Sequence, residues 1–408
     1  MSETAIPLPQ LMSARRTTLL GAALVAIGPL TMALYTPAMP TLATELHTTD
    51  ALIKLTLTAY FAGFALTQLV AGPLTDAFGR KPVTLIFLGL YLASSVLATV
   101  APSVEWLITA RVLQGIGAAV GITVSRAIVR DQYTGQTSAQ IMNTIGTMLA
   151  LAPAVSPTIG GLILEFFGWH EIFYAMVIYG AVLMVSVIFL QEETNTFKNR
   201  DNIRPSRFIG NYWTLLTDRR FLAPSLVVGC GLGNIYALAT VQAFVLIQTV
   251  GMSPSEYGFG MVLQSASFIA GTLVTGRLLK RHDATHLIVP GIIGILVASL
   301  LMATLLRVFE PSYILVMGPC ALYVFFIAML MPATFTTAMR DFPHIAGAAS
   351  SLMGFFQFGS GIVGSLIIAA LGDPILGITT VTAILPAFGI ACYLVFSPKK
   401  PPLPGSAG

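Results

Sequence analysis

An arginine inside an apolar run is the first residue in this chain that demands a chemical explanation. The segment Arg111-x-x-Gln114-Gly115-x-Gly117 lies within the apolar stretch near residues 104–127. At 1.5 Å per residue, Arg111 sits about 10 Å below the outer end of such a helix. A guanidinium there costs at least about 2.5 kcal/mol on insertion scales, so it needs a partner or a wet cavity and is a functional candidate by default. The plainer reading is an arginine that snorkels to the interface. Lys54 is a second cation near the end of an apolar stretch, with Asp50 one turn earlier, and an i, i+4 pair would neutralise both. The 17 acidic residues all fall near one face or the other of the apolar runs. No carboxylate is placed where desolvation would raise its pKa and let it gain and lose a proton at depth.

Other side chains extend this inventory. Tyr35, Tyr60, Gln114, Asn143, Asn234, Tyr236, Gln242, Gln264 and Gln357 are polar groups inside apolar runs. Each either lines an interior cavity with Arg111 or makes an interhelical hydrogen bond. Phe355-Phe356-Gln357-Phe358 offers apolar contact with a polar handle, or simply packing. His47, His170, His282, His286 and His344 lie in or beside loops, and Cys230, Cys320 and Cys392 sit in apolar runs without a neighbour at ligand spacing. They read as loop histidines and buried thiols, with no metal site, no disulfide framework and no cluster that would make an enzyme.

The elements that position these residues follow from composition. Of 408 residues, 55% are hydrophobic and 9% charged, whereas a soluble domain carries about 25% charged residues. Apolar runs long enough to cross a core about 30 Å thick lie near residues 17–38, 51–72, 82–101, 104–127, 140–163, 170–190, 222–248, 257–276, 286–306, 312–333, 345–370 and 376–397. The predicted fold is an all-α membrane protein of twelve transmembrane helices in two six-helix bundles. With the N-terminus inside, all of the 21 Lys and Arg except Lys54, Arg111 and Arg307 fall on the cytoplasmic side. This is positive-inside sorting, and it sets both the span count and the orientation. Arg15 and Arg16 precede the first run as in a secretory signal, but the later spans make it a retained helix.

The expected division is a cytoplasmic tail over 1–16, an N-terminal bundle over 17–190, a basic cytoplasmic linker over 191–220, a C-terminal bundle over 221–397 and a cytoplasmic tail over 398–408. The net charge of +4 favours anionic headgroups, and no basic stripe with interleaved aromatics suggests nucleic acid. A trace of repetition links the halves. Gly72-Pro-Leu-Thr-Asp-Ala-Phe-Gly-Arg-Lys81 follows the second run, and Gly271-Thr-Leu-Val-Thr-Gly-Arg-Leu-Leu-Lys280 follows the eighth, with Thr275 in place of Asp76.

The first of these segments, Gly72-x-Leu74-x-Asp76-x-x-Gly79-Arg80-Lys81, resembles the cytoplasmic loop signature of the major facilitator superfamily, and the Arg111 segment resembles its second signature. Pro153, Ser156, Pro157, Gly160 and Gly161 in the fifth run resemble the antiporter signature, with Ala152 and Ser156 replacing two glycines. Tyr35-Thr-Pro37-Ala-Met-Pro40, Arg130-Asp131, Gly168-Trp169 and Gly251-Met-Ser-Pro254 are similar to segments of the bicyclomycin-resistance branch of drug:proton antiporters.

The resemblance implies a loop latch that closes against the second bundle, while the protein is outward-facing, through Gly72, Asp76, Gly79, Arg80, Lys81, Arg130 and Asp131. It also implies export of small amphipathic compounds across a bacterial inner membrane, driven by the proton gradient with no bound cofactor, by a monomer. The runner-up is an exporter or facilitator of a metabolite such as a sugar or amino acid. One departure stands out: where the branch places an acid in the first helix, this chain reads Met32-Ala33-Leu34-Tyr35. Coupling would then use Asp131, Glu171 or no titratable side chain. Lys54 and Arg111 would make the outer half of the cavity electropositive and favour neutral or anionic cargo.

Overall fold

The computed structural model describes residues 10–196, 198 and 205–396. The start of the N-terminal tail, residues 199–204 of the linker and the tail over 398–408 lie outside the described residues, and with them Arg200, Arg204, Lys399 and Lys400.

Among the described residues twelve helices are long and apolar enough to cross a bilayer: Ala14–Glu45, Asp50–Phe78, Arg80–Thr99, Val104–Gln132, Gly135–Phe166, Trp169–Leu190, Arg219–Ala239, Pro254–Leu278, Ala284–Val308, Tyr313–Met339, Ala346–Leu371 and Pro374–Phe396. They are called spans one to twelve below, and the face rich in Lys and Arg is called inner. Local chemistry starts several of them. The Ser13 and Thr49 side chains accept hydrogen bonds from the backbone N–H of Arg16 and Leu52, and Ser253 with Glu256 forms a capping box ahead of span eight, whose first residue is Pro254. These groups satisfy backbone donors that a helix start otherwise leaves open.

Two of the expected runs depart from single straight helices. Span one tightens into a single 3-10 turn over Thr36–Ala38, where Pro37 lacks the N–H that would continue the ladder. The seventh run, expected as one helix over 222–248, ends at Ala239 and resumes as a π-helical turn over Phe244–Thr249. The linker also holds an unexpected helix, Pro205–Thr217.

The weak sequence repeat becomes a clear structural one. In the first bundle, span one packs on spans four and five, span four on spans two and three, and span three on span six. In the second, span seven packs on spans ten and eleven, span ten on spans eight and nine, and span nine on span twelve. The bundles then meet crosswise, span two along span eleven and span five along span eight. Each bundle has its own apolar core. An aromatic stack joins the cores: Tyr236 of span seven lies parallel to Phe358 of span eleven at 4.5 Å. Phe64 and Phe61 of span two close on Phe358 and Tyr236 at 4.5 and 5.4 Å.

Candidate functional site

The outer ends of the bundles interlock through glycine. A Cβ at Gly161 of span five would collide with the Pro254 carbonyl of span eight, and one at Gly258 would lie 2.5 Å from the Pro157 carbonyl. Only the missing side chains let two backbones approach this closely. Thr158 adds a hydroxyl donated to the Gly258 carbonyl at 3.0 Å, and Tyr257 donates to Thr36 at 3.4 Å. Gly160 plays the same part within the first bundle, against the Leu34 carbonyl. Ser156 returns its hydroxyl to the Ala152 carbonyl at 2.6 Å. The segment resembling the antiporter signature is thus a seam between bundles, bent by Pro153 and Pro157.

The inner halves of the same spans do not seal this way. Asn143, Thr144 and Thr147 are exposed, and a Cβ at Gly146 or Gly276 would meet nothing within 4 Å. Between spans five and eight, then, the bundles are shut at the outer end and loose at the inner end.

Beneath the outer seal lies a cavity of about 70 Å³ between spans one, five, seven and eight. Met32, Met261, Ile235 and Pro157 supply apolar walls, and Gln242, Gln264 and Tyr257 supply polar groups. Gln242 Nε2 donates to Gln264 Oε1 at 3.4 Å and to Cys320 Sγ at 3.2 Å, so Cys320 belongs to a polar cluster rather than standing alone. Cys392 is only half-buried, against the expectation of three buried thiols. Ala33 lines the cavity directly, so the position that resembles the missing acid faces the interior. Among the described residues no charged side chain lines it.

Several expected cavity residues lie elsewhere. Arg111 is fully buried inside the first bundle, its guanidinium clamped between the rings of Tyr35 and Tyr60 at 4.4 and 4.5 Å. The Tyr35 hydroxyl pairs with Thr56 at 2.6 Å and the Tyr60 hydroxyl donates to the Gly28 carbonyl at 2.9 Å, which fixes both rings. Arg111 Nη1 donates to Gln114, whose Nε2 donates to Ser95 at 2.8 Å. Nε and Nη2 find no partner among the described residues. The snorkelling reading fails, because the chain is packed inward on all sides.

Lys54 corrects a second expectation. It makes no ion pair with Asp50; instead it is buried with Nζ 4.6 Å from the Phe244 ring centroid, attracted at longer range by Asp50 and Asp373. It is therefore part of the outer seal, bridging span two to the segment after span seven. The electropositive outer cavity is not formed in this arrangement, since both cations are enclosed by protein. Asn234 is enclosed in the second bundle beside Tyr323, Tyr236 belongs to the aromatic stack, and Gln357 is half-buried next to Phe358.

At the inner face, Asp76, Asp131 and Arg80 form one network. Arg80 pairs with Asp76, donates from Nε to Asp131 Oδ2 at 3.0 Å and from Nη1 to Thr75 at 2.9 Å. Thr194 donates to Asp131 at 2.9 Å. Glu193 accepts from the backbone N–H groups of Arg80 and Lys81 at 2.9 and 3.2 Å, placing a carboxylate at the N-terminus of span three, where the helix dipole favours it. Gly79 has φ of +110°, and a Cβ there would collide with Glu193; both facts require glycine.

These contacts tie the loop to its own bundle and to the start of the linker. The latch is expected for the outward-facing arrangement; here, among the described residues, Asp76 makes no ion pair with the second bundle, and Arg130 is exposed and makes no ion pair. Among the described residues the degraded copy at Gly271–Lys280 builds no such network; Thr275 returns its hydroxyl to the Gly271 carbonyl at 2.7 Å.

Arg80→Ala should lower unfolding stability by roughly 2–3 kcal/mol. That is less than a fully buried pair would lose, because Asp76 is a third exposed. Arg80→Lys should recover only part, lacking the fork that reaches two carboxylates. Thermal unfolding in detergent tests both.

Sequence reasoning missed Glu193 and Thr194. The signal was available in the Glu192-Glu193 pair directly after span six. It also counted Arg126 simply as an inner-face charge. The structure sets it six residues before the end of span four, exposed, with Nη1 3.5 Å from Ser350 of span eleven.

Comparison with known proteins agrees with this architecture. A family model described as Major Facilitator Superfamily matches residues 18–365. The "Uncharacterized MFS-type transporter YdgK" of Bacillus subtilis is 32% identical over 363 residues, 88% of each chain. The "Bicyclomycin resistance protein homolog" of Haemophilus influenzae is 29% identical over 83% of this chain and 85% of its own. "Multidrug resistance protein D" of Escherichia coli is 28% identical over 84% and 86%. Among solved structures, a D-xylose-proton symporter superposes with a TM-score of 0.73 over 95% of this chain and 98% of its own, at 13% identity. That last likeness is one of fold.

Proposed function

Because this chain belongs to the major facilitator superfamily, we propose that it exports drugs or other small amphipathic compounds from the cytoplasm by alternating access, in exchange for protons. The observation that carries the reading is the cavity under the outer seal, where apolar walls surround Gln242, Gln264 and Tyr257. Such a lining suits a compound with an apolar body and a few hydrogen-bonding groups, and at about 70 Å³ the cavity must widen as the bundles part before it holds one. Its place between two bundles of matching internal pairing is where transporters built from repeats hold their cargo. The names of the Haemophilus and Escherichia relatives point the same way.

In this reading the protein is a monomer in a bacterial inner membrane with both termini inside, and its outer seal opens when cargo and proton exchange. The glycine seam and the Lys54 contact with Phe244 then break together. Expression in a pump-deleted host is expected to raise tolerance to at least one amphipathic antibiotic, and a protonophore is expected to remove the gain. Unchanged tolerance across the panel, with an altered flux of a sugar or amino acid, would reject drug export in favour of metabolite transport. Tolerance that survives the protonophore would reject proton exchange alone.

A further inference from the structure

The linker helix Pro205–Thr217 lies outside the twelve spans, and its two faces differ. One face is seated on the protein: the Tyr212 hydroxyl donates to the Leu69 carbonyl of span two at 2.8 Å, and Leu215 is fully buried in the second core. Ile209, Trp213 and Leu216 recur at i, i+4 and i+7 and are 61%, 67% and 42% exposed. That spacing forms one continuous apolar stripe on the helix. The helix ends at Thr217 and span seven begins at Arg219, so the stripe lies close to the inner end of a membrane span. Amphipathic helices in this position bury such stripes at the headgroup boundary, and tryptophan favours that depth.

The elbow between this helix and span seven forms a shallow, open groove lined by Thr214, Thr217, Asp218, Arg219 and Arg220. Asp218 is occupied: it accepts from the Arg220 backbone N–H at 2.8 Å and pairs with its guanidinium at 2.9 Å, while Arg220 also reaches Asp341 at 3.2 Å. Arg219 is exposed and makes no ion pair among the described residues. A guanidinium three residues beyond the last side chain of an apolar stripe, at the inner leaflet, matches a phosphodiester joined to acyl chains.

We propose that this elbow binds an anionic phospholipid of the inner leaflet, its headgroup on Arg219 in the groove and its chains along Ile209, Trp213 and Leu216. Both contacts are needed to choose a lipid over a free anion. The full-length protein is reconstituted in vesicles containing brominated phosphatidylglycerol or brominated phosphatidylcholine at equal mole fraction. Trp213→Phe isolates the Trp213 contribution to the quenched fluorescence, and at 67% exposure this change leaves packing intact.

Phosphatidylglycerol is expected to quench Trp213 at least about twofold more, through the attraction of Arg219 for anionic headgroups. Arg219→Gln is expected to erase the preference while both lipids still quench. Absence of quenching by either lipid would place the stripe outside the bilayer and overturn the proposal. Equal quenching with Arg219 intact would remove the headgroup site. Loss of the preference in millimolar inorganic phosphate would make the groove a site for free anions and overturn the lipid assignment.

Discussion

Replacing Arg111 with methionine is expected to cut transport at least about tenfold, equivalent to ~1.4 kcal/mol of barrier, while the protein stays folded in the membrane. The two effects separate because the guanidinium is held by opposing terms of similar size. Stacking on Tyr35 and Tyr60 contributes about 2 kcal/mol per desolvated ring, and the hydrogen bond to Gln114 about 1.5–3 kcal/mol. Against these stands a burial penalty of several kcal/mol for a cation with no carboxylate beside it. Methionine fills much of the same volume and removes the penalty and the gains together, so stability should change by no more than about 1–2 kcal/mol.

A residue so costly to bury and so nearly neutral in stability has its justification in function. Thermal unfolding in detergent read beside uptake into proteoliposomes decides the point. Wild-type transport by the variant would make Arg111 a packing residue, and a collapse of stability would make it a structural anchor. Arg111→Lys should recover little, because an ammonium cannot fill the flat slot between two rings.

The second large effect concerns the seam. Gly161→Val is expected to hold the outer ends apart, because its Cβ would collide with the Pro254 carbonyl and lie 3.1 Å from Ser255 Cα, both backbone of the opposite bundle. Overpacking of this kind costs about 1–3 kcal/mol. If the contact exists only in the outer-closed arrangement, the whole cost shifts the balance of arrangements, by roughly 5- to 150-fold.

The readout is labelling. Thr36 is 3% exposed under the seal, so a cysteine there, in a background lacking other cysteines, should be inert to an impermeant maleimide in intact cells. It should become reactive when Gly161→Val is added, and transport should fall. Gly146→Val is the control on the same span, since a Cβ there meets nothing within 4 Å. Equal labelling in both variants would mean that the seam does not gate the outer face.

The part of this fold that was legible in the chain is the part that a bilayer dictates residue by residue. Span eleven was expected over 345–370 and runs Ala346–Leu371, because crossing hydrocarbon requires an apolar stretch of one length with charges outside it. The linker helix was overlooked despite the Ile209, Trp213 and Leu216 spacing, because a stripe among basic residues reads as polar in bulk. The site was legible in membership and illegible in arrangement. Tyr35, Tyr60 and Arg111 stood out separately as polar groups in apolar runs, yet nothing in their spacing showed that two rings would clamp one guanidinium and close it off from the cavity.

Lys54 shows the limit in its sharpest form. Asp50 one turn away was the only partner that local reasoning could supply, and the partner found in three dimensions is Phe244, from the other bundle. By itself, then, the sequence determined what each segment must do with respect to lipid: span number and the glycines and prolines available for close contact. Only the tertiary structure decided who meets whom: the matched pairing inside each bundle, the Gly161 and Gly258 seam, the Glu193 cap and the enclosure of both buried cations. The reason is that hydrophobic partition acts on every segment independently. Charge, stacking and shape act between segments far apart in the chain, and their outcome is set only when the helices have packed.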